Sequence, residues 1–319
     1  MVPCEDKRMT IRAFQPGDEA AQVGIYNEAS SHLPKFKPAT LDEVRRRCRG
    51  SDFDPNTRFF AMANGLPVAY ASFHANGRVN FPWCRHGHEN WAEPLFEHVL
   101  QAMRKRNIPR AFAAYRDDWK PQHDFFLAHG FQKARDMVNF MLDLIDMPTP
   151  AARRSSALAP LKPADLPALA QLAPEALRTT DVKELERHYL QNPYFPAEAS
   201  FVLRNRSDGT VEAVGIIVAN PAYANPKQVD AAMPCFRLGA FGTEGMQAKR
   251  IHGLFSFLCR ATDTNRLGLE LIGHAAFRLH QTDVETLAAQ APSDAPHLLR
   301  FYQHHFRKQG SFPVFERNL

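Results

Sequence analysis

The sequence has no apolar run that approaches the roughly 20 residues that a membrane-spanning helix needs. Residues 1–12 are polar and charged, so we expect no secretory signal there. The five cysteines are scattered, none forms a Cys-x-x-Cys pair, and their odd number argues against a disulfide framework. These absences predict a cytoplasmic protein without a membrane segment or a structural zinc site.

Several catalytic signatures are also missing. The sequence contains no Gly-x-Ser-x-Gly motif, phosphate-binding P-loop or Gly-x-Gly-x-x-Gly fingerprint, so it does not support a hydrolase or a nucleotide kinase. Two histidine pairs, His86-x-His88 and His304-His305, have no acid or histidine partner at the spacing of a His-Glu-x-x-His site. We therefore predict no bound metal.

The charge excess is small. A net charge of +5 and an isoelectric point near 9.0 arise from lysines and arginines spread along the chain. This is either an ordinary basic surface or an attraction to an anionic small molecule. No basic stripe interleaved with aromatic residues is present, so we predict no nucleic-acid partner.

The length of 319 residues is enough for two domains of about 150 residues each. A segment rich in proline and small residues, 147–156, is typical of an exposed linker. The two halves of the chain begin with similar segments. Pro16-Gly-Asp18 and Pro163-Ala-Asp165 each place an aspartate where it could cap a helix. We predict an N-terminal domain over 1–147, a linker over 148–156 and a C-terminal domain over 157–319, related by duplication.

Periodicity and turn signals predict the elements of the first half. Strands are expected at residues 9–14, 58–63, 67–73, 78–83, 111–115 and 137–144, and helices at 18–29, 41–49, 94–105 and 121–129. In the second half a hairpin is expected over 200–206 and 211–219, around Asp208-Gly209. A strand at 230–241, a helix at 247–261, a strand at 267–272, a less regular region at 277–296, a helix at 297–306 and a strand at 312–317 follow.

This element order resembles the GNAT superfamily of N-acetyltransferases. Two segments carry the resemblance: Phe125-Phe-Leu-Ala-His-Gly-Phe131 is similar to the helix-to-strand segment of that family, and Leu299-Arg-Phe-Tyr302 is similar to the same helix. The resemblance implies an α/β fold of the mixed-sheet, α+β type. It further implies two tandem GNAT-like acyl-coenzyme A N-acyltransferase domains, with acetyl-coenzyme A as co-substrate.

The family's pyrophosphate loop has the pattern Gln/Arg-x-x-Gly-x-Gly/Ala, in which backbone amides and a helix N-terminus meet the phosphates. Neither half keeps it. The first half has Arg85 and Gly87, but Glu89 and Glu93 lie near the helix start, where they would repel phosphate. We interpret the first domain as non-catalytic.

The second half places cations in the corresponding stretch, with Gln247 in the leading position and Arg250 and His252 in place of the glycines. The alternative is a solvated basic turn. The predicted cofactor-binding residues are Phe241, Gly242, Thr243, Gln247, Ala248, Lys249, Arg250, Ile251 and His252.

The resemblance also implies catalytic roles in the second domain. Tyr302 matches the family's tyrosine, which protonates the departing thiolate, and Asp230 or Glu244 is the candidate base. A packed helix tyrosine and exposed strand-end carboxylates are the structural alternatives. The function predicted is acetyl transfer from acetyl-coenzyme A to the amine of a small molecule or peptide by direct attack. The alternative is a non-catalytic tandem binding or assembly protein, and a homodimer is compatible with either.

Overall fold

The computed structural model describes residues 10–34, 36, 38–49, 53–148, 156–177, 179–192, 195–219, 251–279 and 285–319, with the side chains of 251 and 252 excepted. The described residues form two compact units. Unit 1 comprises those up to Ala134 together with Pro313–Leu319, and unit 2 comprises those within Arg135–Phe312. The contacts therefore divide the chain at Ala134 rather than at the predicted residue 147, and they return the last seven residues to unit 1.

Unit 1 follows the predicted element order closely. Its helices are α1 (Glu19–Ser30), α2 (Leu41–Cys48), α3 (Ala92–Lys105) and α4 (Lys120–Ala128). Its strands are β1 (Thr10–Ala13), β2 (Arg58–Ala63), β3 (Leu66–Ser72), β4 (Trp83–Cys84) and β5 (Arg110–Ala114), and β6 (Gln132–Asp143) begins in this unit. The strands β1 to β4 form an antiparallel sheet in chain order. The partner of β5 is the end of the last strand of the chain, Val314–Asn318.

Local chemistry explains these boundaries. Asn64 and Gly65 both have positive φ, which allows the tight turn between β2 and β3. The side chain of Thr40 caps α2 in a reciprocal arrangement with Glu43. Five apolar side chains of α3 at helical spacing are fully buried, and this burial holds the helix against the sheet: Leu95, Phe96, Val99, Leu100 and Met103.

The predicted helix-capping aspartates have a different role. The side chain of Asp18 caps no helix amide; it accepts a hydrogen bond from the amide of Gln15 at 2.7 Å and pairs with both terminal nitrogens of Arg12. Asp165 repeats the first contact, since it accepts from the amide of Lys162 at 3.0 Å. The repeated Pro-x-Asp start therefore stabilises the turn before each helix rather than the first turn of the helix.

Unit 2 contains a mixed sheet in the order β7, β8, β9, β10, β11, β6. Its strands are β7 (Ser156–Pro160), β8 (Ser200–Asn205), β9 (Val211–Ala219), β10 (Ile251–Cys259), β11 (Thr286–Pro292) and most of β6, and β12 (Arg307–Asn318) begins here. Its helices are α5 (Leu166–Ala170), α6 (Pro174–Leu177), α7 (Val182–Tyr189), α8 (Thr264–Leu279) and α9 (Pro296–His305). The pair β10–β11 is parallel, and the other pairs in this sheet are antiparallel.

Two predicted elements of unit 2 are wrong. The predicted helix at 247–261 is strand β10 from Ile251 onward, and the predicted strand at 267–272 lies inside helix α8. In β10 the buried positions alternate, as the pleat of a strand requires. In α8, Gly268 lowers helix propensity, yet a Cβ there would lie 2.5 Å from the ring of Phe301. The close packing of α8 against Phe301 therefore explains why a glycine lies at position 268. The predicted strand at 230–241 lies outside the described residues.

The sheet of unit 2 separates two apolar cores. On one face, Phe140, Leu287 and Ala289 pack with α8 and α9. On the other face, Met141 and Ala288 pack with α5 and α7. Successive residues of β6 and β11 thus face opposite cores, which fixes the face on which each polar side chain of these strands lies.

Candidate functional site

Strands β10 and β11 separate part-way along their length. Their last parallel contact is between Leu254 and Ala288. Beyond it, β10 continues to Cys259 paired only with β9, and β11 continues to Pro292 paired with β6. We call the space between residues 255–259 and 289–292 the unit 2 gap. Among the described residues, the backbone groups on its two edges form no strand pairing across it.

Tyr302 of α9 is buried against this gap and is 1% exposed. Its ring packs against Phe140 and Phe257, with centroids 5.5 and 5.7 Å apart. Burial raises the pKa of Tyr302 well above its ordinary value, and the facing backbone amide of Phe257 only partly opposes this shift. Within the described part of the chain, no group meets the hydroxyl with full hydrogen-bond geometry. The residue is therefore a neutral phenol whose proton is available to a group entering the gap.

The loop after β10 leads directly into α8. A 3-10 turn, Ala261–Asp263, joins them, and the hydroxyl of Thr264 donates to the carbonyl of Ala261 at 3.1 Å. Arg260 begins this loop, is exposed, and has no side-chain partner among the residues described. Burial raises the pKa of the adjacent Cys259 to about 11, so this thiol stays protonated near neutral pH and is a poor nucleophile. The loop thus presents a cation at the start of a 16-residue helix.

The structure describes three of the predicted site residues, Tyr302, Ile251 and His252. Tyr302 lies at the gap, as described above. Ile251 and His252 belong to strand β10 rather than to a loop or helix start, because the strand begins there. The other predicted residues lie outside the described part of the chain: Asp230, Phe241, Gly242, Thr243, Glu244, Gln247, Ala248, Lys249 and Arg250.

Sequence reasoning missed Arg260. A signal for it exists in the printed sequence, because Cys84-Arg85 and Cys259-Arg260 each end a strand that precedes a long helix. The topology makes Arg260 the counterpart of Arg85, since each follows the strand that precedes a long helix, α8 and α3 respectively. The predicted pyrophosphate loop at residues 241–252 stays a prediction, because residues 241–250 lie outside the described part of the chain.

Unit 1 has the same strand separation, but aromatic side chains fill it. A parallel bridge joins Arg78 to Phe112, after which the two segments diverge. The amide of Phe81 then donates to the phenol oxygen of Tyr115 at 2.6 Å. Trp83 packs edge-on against the rings of Tyr26, Phe81, Tyr115 and Trp119. In unit 1 the amide of Phe81 is therefore satisfied by a side chain of the protein itself.

The loop of unit 1 is occupied by the protein's own carboxylates. Glu28 pairs with the guanidinium of Arg85 at 2.5 Å and accepts from the amide of His86 at 3.0 Å. Glu89 accepts from the amide of Gly87 at 3.1 Å. Desolvation opposes ionisation of Glu28, but these hydrogen bonds and the charge of Arg85 hold its pKa below its usual value. Two carboxylates thus occupy the amides that would meet a pyrophosphate.

Solved structures with the same overall architecture identify the fold. A GCN5-related N-acetyltransferase from Sphaerobacter thermophilus matches 97% of this chain and 95% of its own, with 14% identity and a TM-score of 0.60. A tandem GNAT protein from the clavulanic acid biosynthesis pathway matches 98% of both chains, with 13% identity and a TM-score of 0.56. The chain has the tandem GNAT fold. No family model matches it, and no curated protein sequence does.

Among the described residues, no helix is long and apolar enough to cross a membrane. Within the same residues, no three histidine, cysteine, aspartate or glutamate side chains are grouped to hold a metal ion.

Proposed function

We propose that unit 2 transfers an acetyl group from acetyl-coenzyme A to an amine by direct attack, and that unit 1 is non-catalytic. The observation that carries this proposal is the buried hydroxyl of Tyr302, unpartnered among the described residues and placed against the gap between β10 and β11. A buried polar group without a partner costs about 1–3 kcal/mol, so a ligand that meets it in the functional complex would explain why it is kept.

The residues at the gap supply the groups that this reaction needs. Arg260 and the N-terminus of α8 would hold the pyrophosphate, because both are positive and face the same loop. The backbone amide of Phe257 faces the hydroxyl of Tyr302 at the gap, and we propose that it donates to the thioester oxygen as negative charge develops there. These contacts would orient the thioester in the gap, where an amine can reach its carbonyl carbon.

The bonds and protons balance as follows. The nitrogen of the amine forms a bond to the carbonyl carbon, and the carbon–sulfur bond breaks. Tyr302 gives its proton to the departing thiolate, and the nitrogen loses a proton to a base. Asp230, Glu244 or a water molecule is the proposed base. The phenolate then recovers a proton from solvent and the base releases its proton to solvent, so the enzyme returns to its starting state.

Unit 1 supports the assignment by contrast. Its loop amides already bind Glu28 and Glu89, and added phosphate would meet two negative charges at that loop. Its strand separation is filled by Tyr115 and neighbouring rings. A single coenzyme A site for each chain, in unit 2, follows from this contrast.

A matched pair of variants tests the proposal. Arg260→Gln removes the cation of the unit 2 loop, and Arg85→Gln removes its counterpart in unit 1. Calorimetric titration with coenzyme A should show one site in the parent protein, at least tenfold weaker affinity in Arg260→Gln, and little change in Arg85→Gln.

The opposite pattern, with affinity lost only in Arg85→Gln, would assign the site to unit 1. Absence of any binding at millimolar coenzyme A, confirmed by an unchanged melting temperature, would favour the non-catalytic tandem module instead. The acceptor is proposed to be a small-molecule amine or a peptide, and the cytoplasm is the proposed location.

A further inference from the structure

A polar pair lies on the opposite face of the sheet from Tyr302. Asn139 of β6 and Gln290 of β11 are directly opposite each other, and Nε2 of Gln290 donates to Oδ1 of Asn139 at 2.8 Å. Asn139 is 1% exposed. Its Nδ2 group, which carries two hydrogens to donate, has no partner in the described part of the chain. A second unsatisfied polar group is therefore buried in unit 2.

The position of this pair relates it to the unit 2 gap. Gln290 lies two residues beyond Ala288, where the pairing of β10 with β11 ends. Phe140 and Ala289, the sequence neighbours of the pair, face the core that contains Tyr302. Because side chains alternate along a strand, Asn139 and Gln290 face the other side, which α5 and α7 cover. Tyr302 and Asn139 thus lie on opposite faces of the sheet, and Asn139 is one strand away from the gap, next to Gln290 of β11.

Unit 1 has no polar pair at the equivalent place. There the last parallel contact involves Phe112, and two residues further on Ala114 lies directly opposite Val314. Both residues are buried and apolar. Alanine and valine can therefore occupy this pair of opposite positions. The unit that has asparagine and glutamine there is unit 2, in which β10 and β11 separate.

We infer that Asn139, held by Gln290, donates a hydrogen bond to a carbonyl oxygen of the amine substrate. This inference rests on the proposed function, and it names the acceptor class: an amine that carries a carboxamide or peptide carbonyl close to its nitrogen. A neutral donor suits a neutral carbonyl, because a carboxylate buried at this place would need a compensating positive charge. Approach of the acceptor from this face leaves the other face to Tyr302 and the departing thiol.

The experiment compares amines of matched shape. Glycinamide and 3-aminopropanamide carry the carbonyl at two distances, and isobutylamine and isopentylamine are their apolar counterparts. With acetyl-coenzyme A, the parent protein should acetylate at least one amide with a kcat/KM tenfold or more above that of its apolar counterpart. Asn139→Val installs the residue that unit 1 carries, and it should reduce this ratio to within about twofold by raising KM while kcat changes little.

Controls separate recognition from folding. Thr286→Val removes a 2.9 Å hydrogen bond to Asp143 on the same pair of strands, and it should leave the amide preference intact. Asn139→Val removes an unsatisfied group but also removes the acceptor of the Gln290 side chain, so the two effects oppose each other and the melting temperature should stay within about 4 °C of that of the parent protein. If that variant does not fold, Gln290→Ala, which installs the other unit 1 residue, provides the same comparison of ratios.

The outcomes distinguish this inference from the proposed function. If coenzyme A binds but no amide is preferred or acetylated, or if the preference survives Asn139→Val, the inference is overturned and the coenzyme A site stands. If coenzyme A does not bind the parent protein, the proposed function fails and the inference fails with it.

Discussion

Replacing Tyr302 with phenylalanine should make the protein more stable and less active. The side chain is 1% exposed, and its ring contacts Phe140, Phe257, Phe301 and Phe306, which a phenylalanine ring can preserve. Only the hydroxyl is lost, and within the described residues no group meets it with full hydrogen-bond geometry, although the amide of Phe257 faces it. Removing a desolvated, unsatisfied hydroxyl should raise the free energy of unfolding by about 1 kcal/mol, within a range of about 0–3 kcal/mol.

The effect on turnover should have the opposite sign. A general acid contributes about 10²–10⁴-fold to the rate, so kcat should fall by about a hundredfold or more while coenzyme A affinity stays within about twofold. Urea unfolding at constant m-value measures the stability change, and release of free thiol from acetyl-coenzyme A measures turnover. At this size, 1 kcal/mol corresponds to a melting shift of about 2–4 °C.

Two results would refute the reasoning. A loss of stability above about 1 kcal/mol would mean that the hydroxyl is hydrogen-bonded in the folded protein. An unchanged kcat would remove Tyr302 from the reaction. The reverse change in unit 1, Phe126→Tyr, places a hydroxyl at a fully buried position in the corresponding helix, and it should destabilise the protein without creating activity.

Two other substitutions test the fold. Gly268→Ala should destabilise by about 1–3 kcal/mol in chemical denaturation despite the higher helix propensity of alanine, because its Cβ would lie 2.5 Å from the ring of Phe301; a stabilised variant would contradict the packing described. Asp18→Asn should cost about 1–3 kcal/mol at pH 7. Desolvation raises the pKa of Asp18, but its bonds to Arg12 and Gln15 outweigh this and hold it below its usual value. The contribution is therefore complete above about pH 4 and is lost as pH falls through the folded pKa, so the difference from the parent should shrink in acid. Unfolding curves at pH 7 and pH 3 that differ by the same amount would contradict this.

The sequence predicted unit 1 well because its local signals agree with one another. The Asn64-Gly65 turn, the capping segment of α2 and the apolar stripe of α3 each indicate the element that forms. Burial on one face of a helix and alternation along a strand are local periodicities, so they can be found without knowledge of tertiary contacts. The strand bounds of β2 coincide with the prediction, 58–63.

Unit 2 was harder to predict because tertiary packing determines its helix and strand preferences. A strand was predicted at 267–272, whereas these residues belong to α8, in which Gly268 allows close packing against Phe301. The alternating residues of β10 were assigned to a helix, and because of this error Arg260 was not recognised as the residue that follows a strand. Asn139 and Gln290 could not be found at all, since they are distant in sequence and meet only through strand register.

Other features of the site depend on orientation rather than residue type. The sequence placed glutamates near the loop of unit 1, but it did not show that Glu28, which lies on α1, reaches the amide of His86. Nor could it show that Tyr115 closes the strand separation of that unit. Both contacts join residues far apart in the chain.

The assignment of chain ends to units has a consequence for biosynthesis. Unit 1 pairs β5 with Val314–Asn318, whereas β11 of unit 2 pairs with Met137–Asp143, which are synthesised far earlier. Unit 1 therefore leaves the ribosome with an open strand edge and cannot complete its sheet until residues 313–319 have been made. A gene cut at the midpoint would deprive each product of a strand. The two units therefore depend on one continuous chain, because each contains a strand that the other half of the sequence supplies.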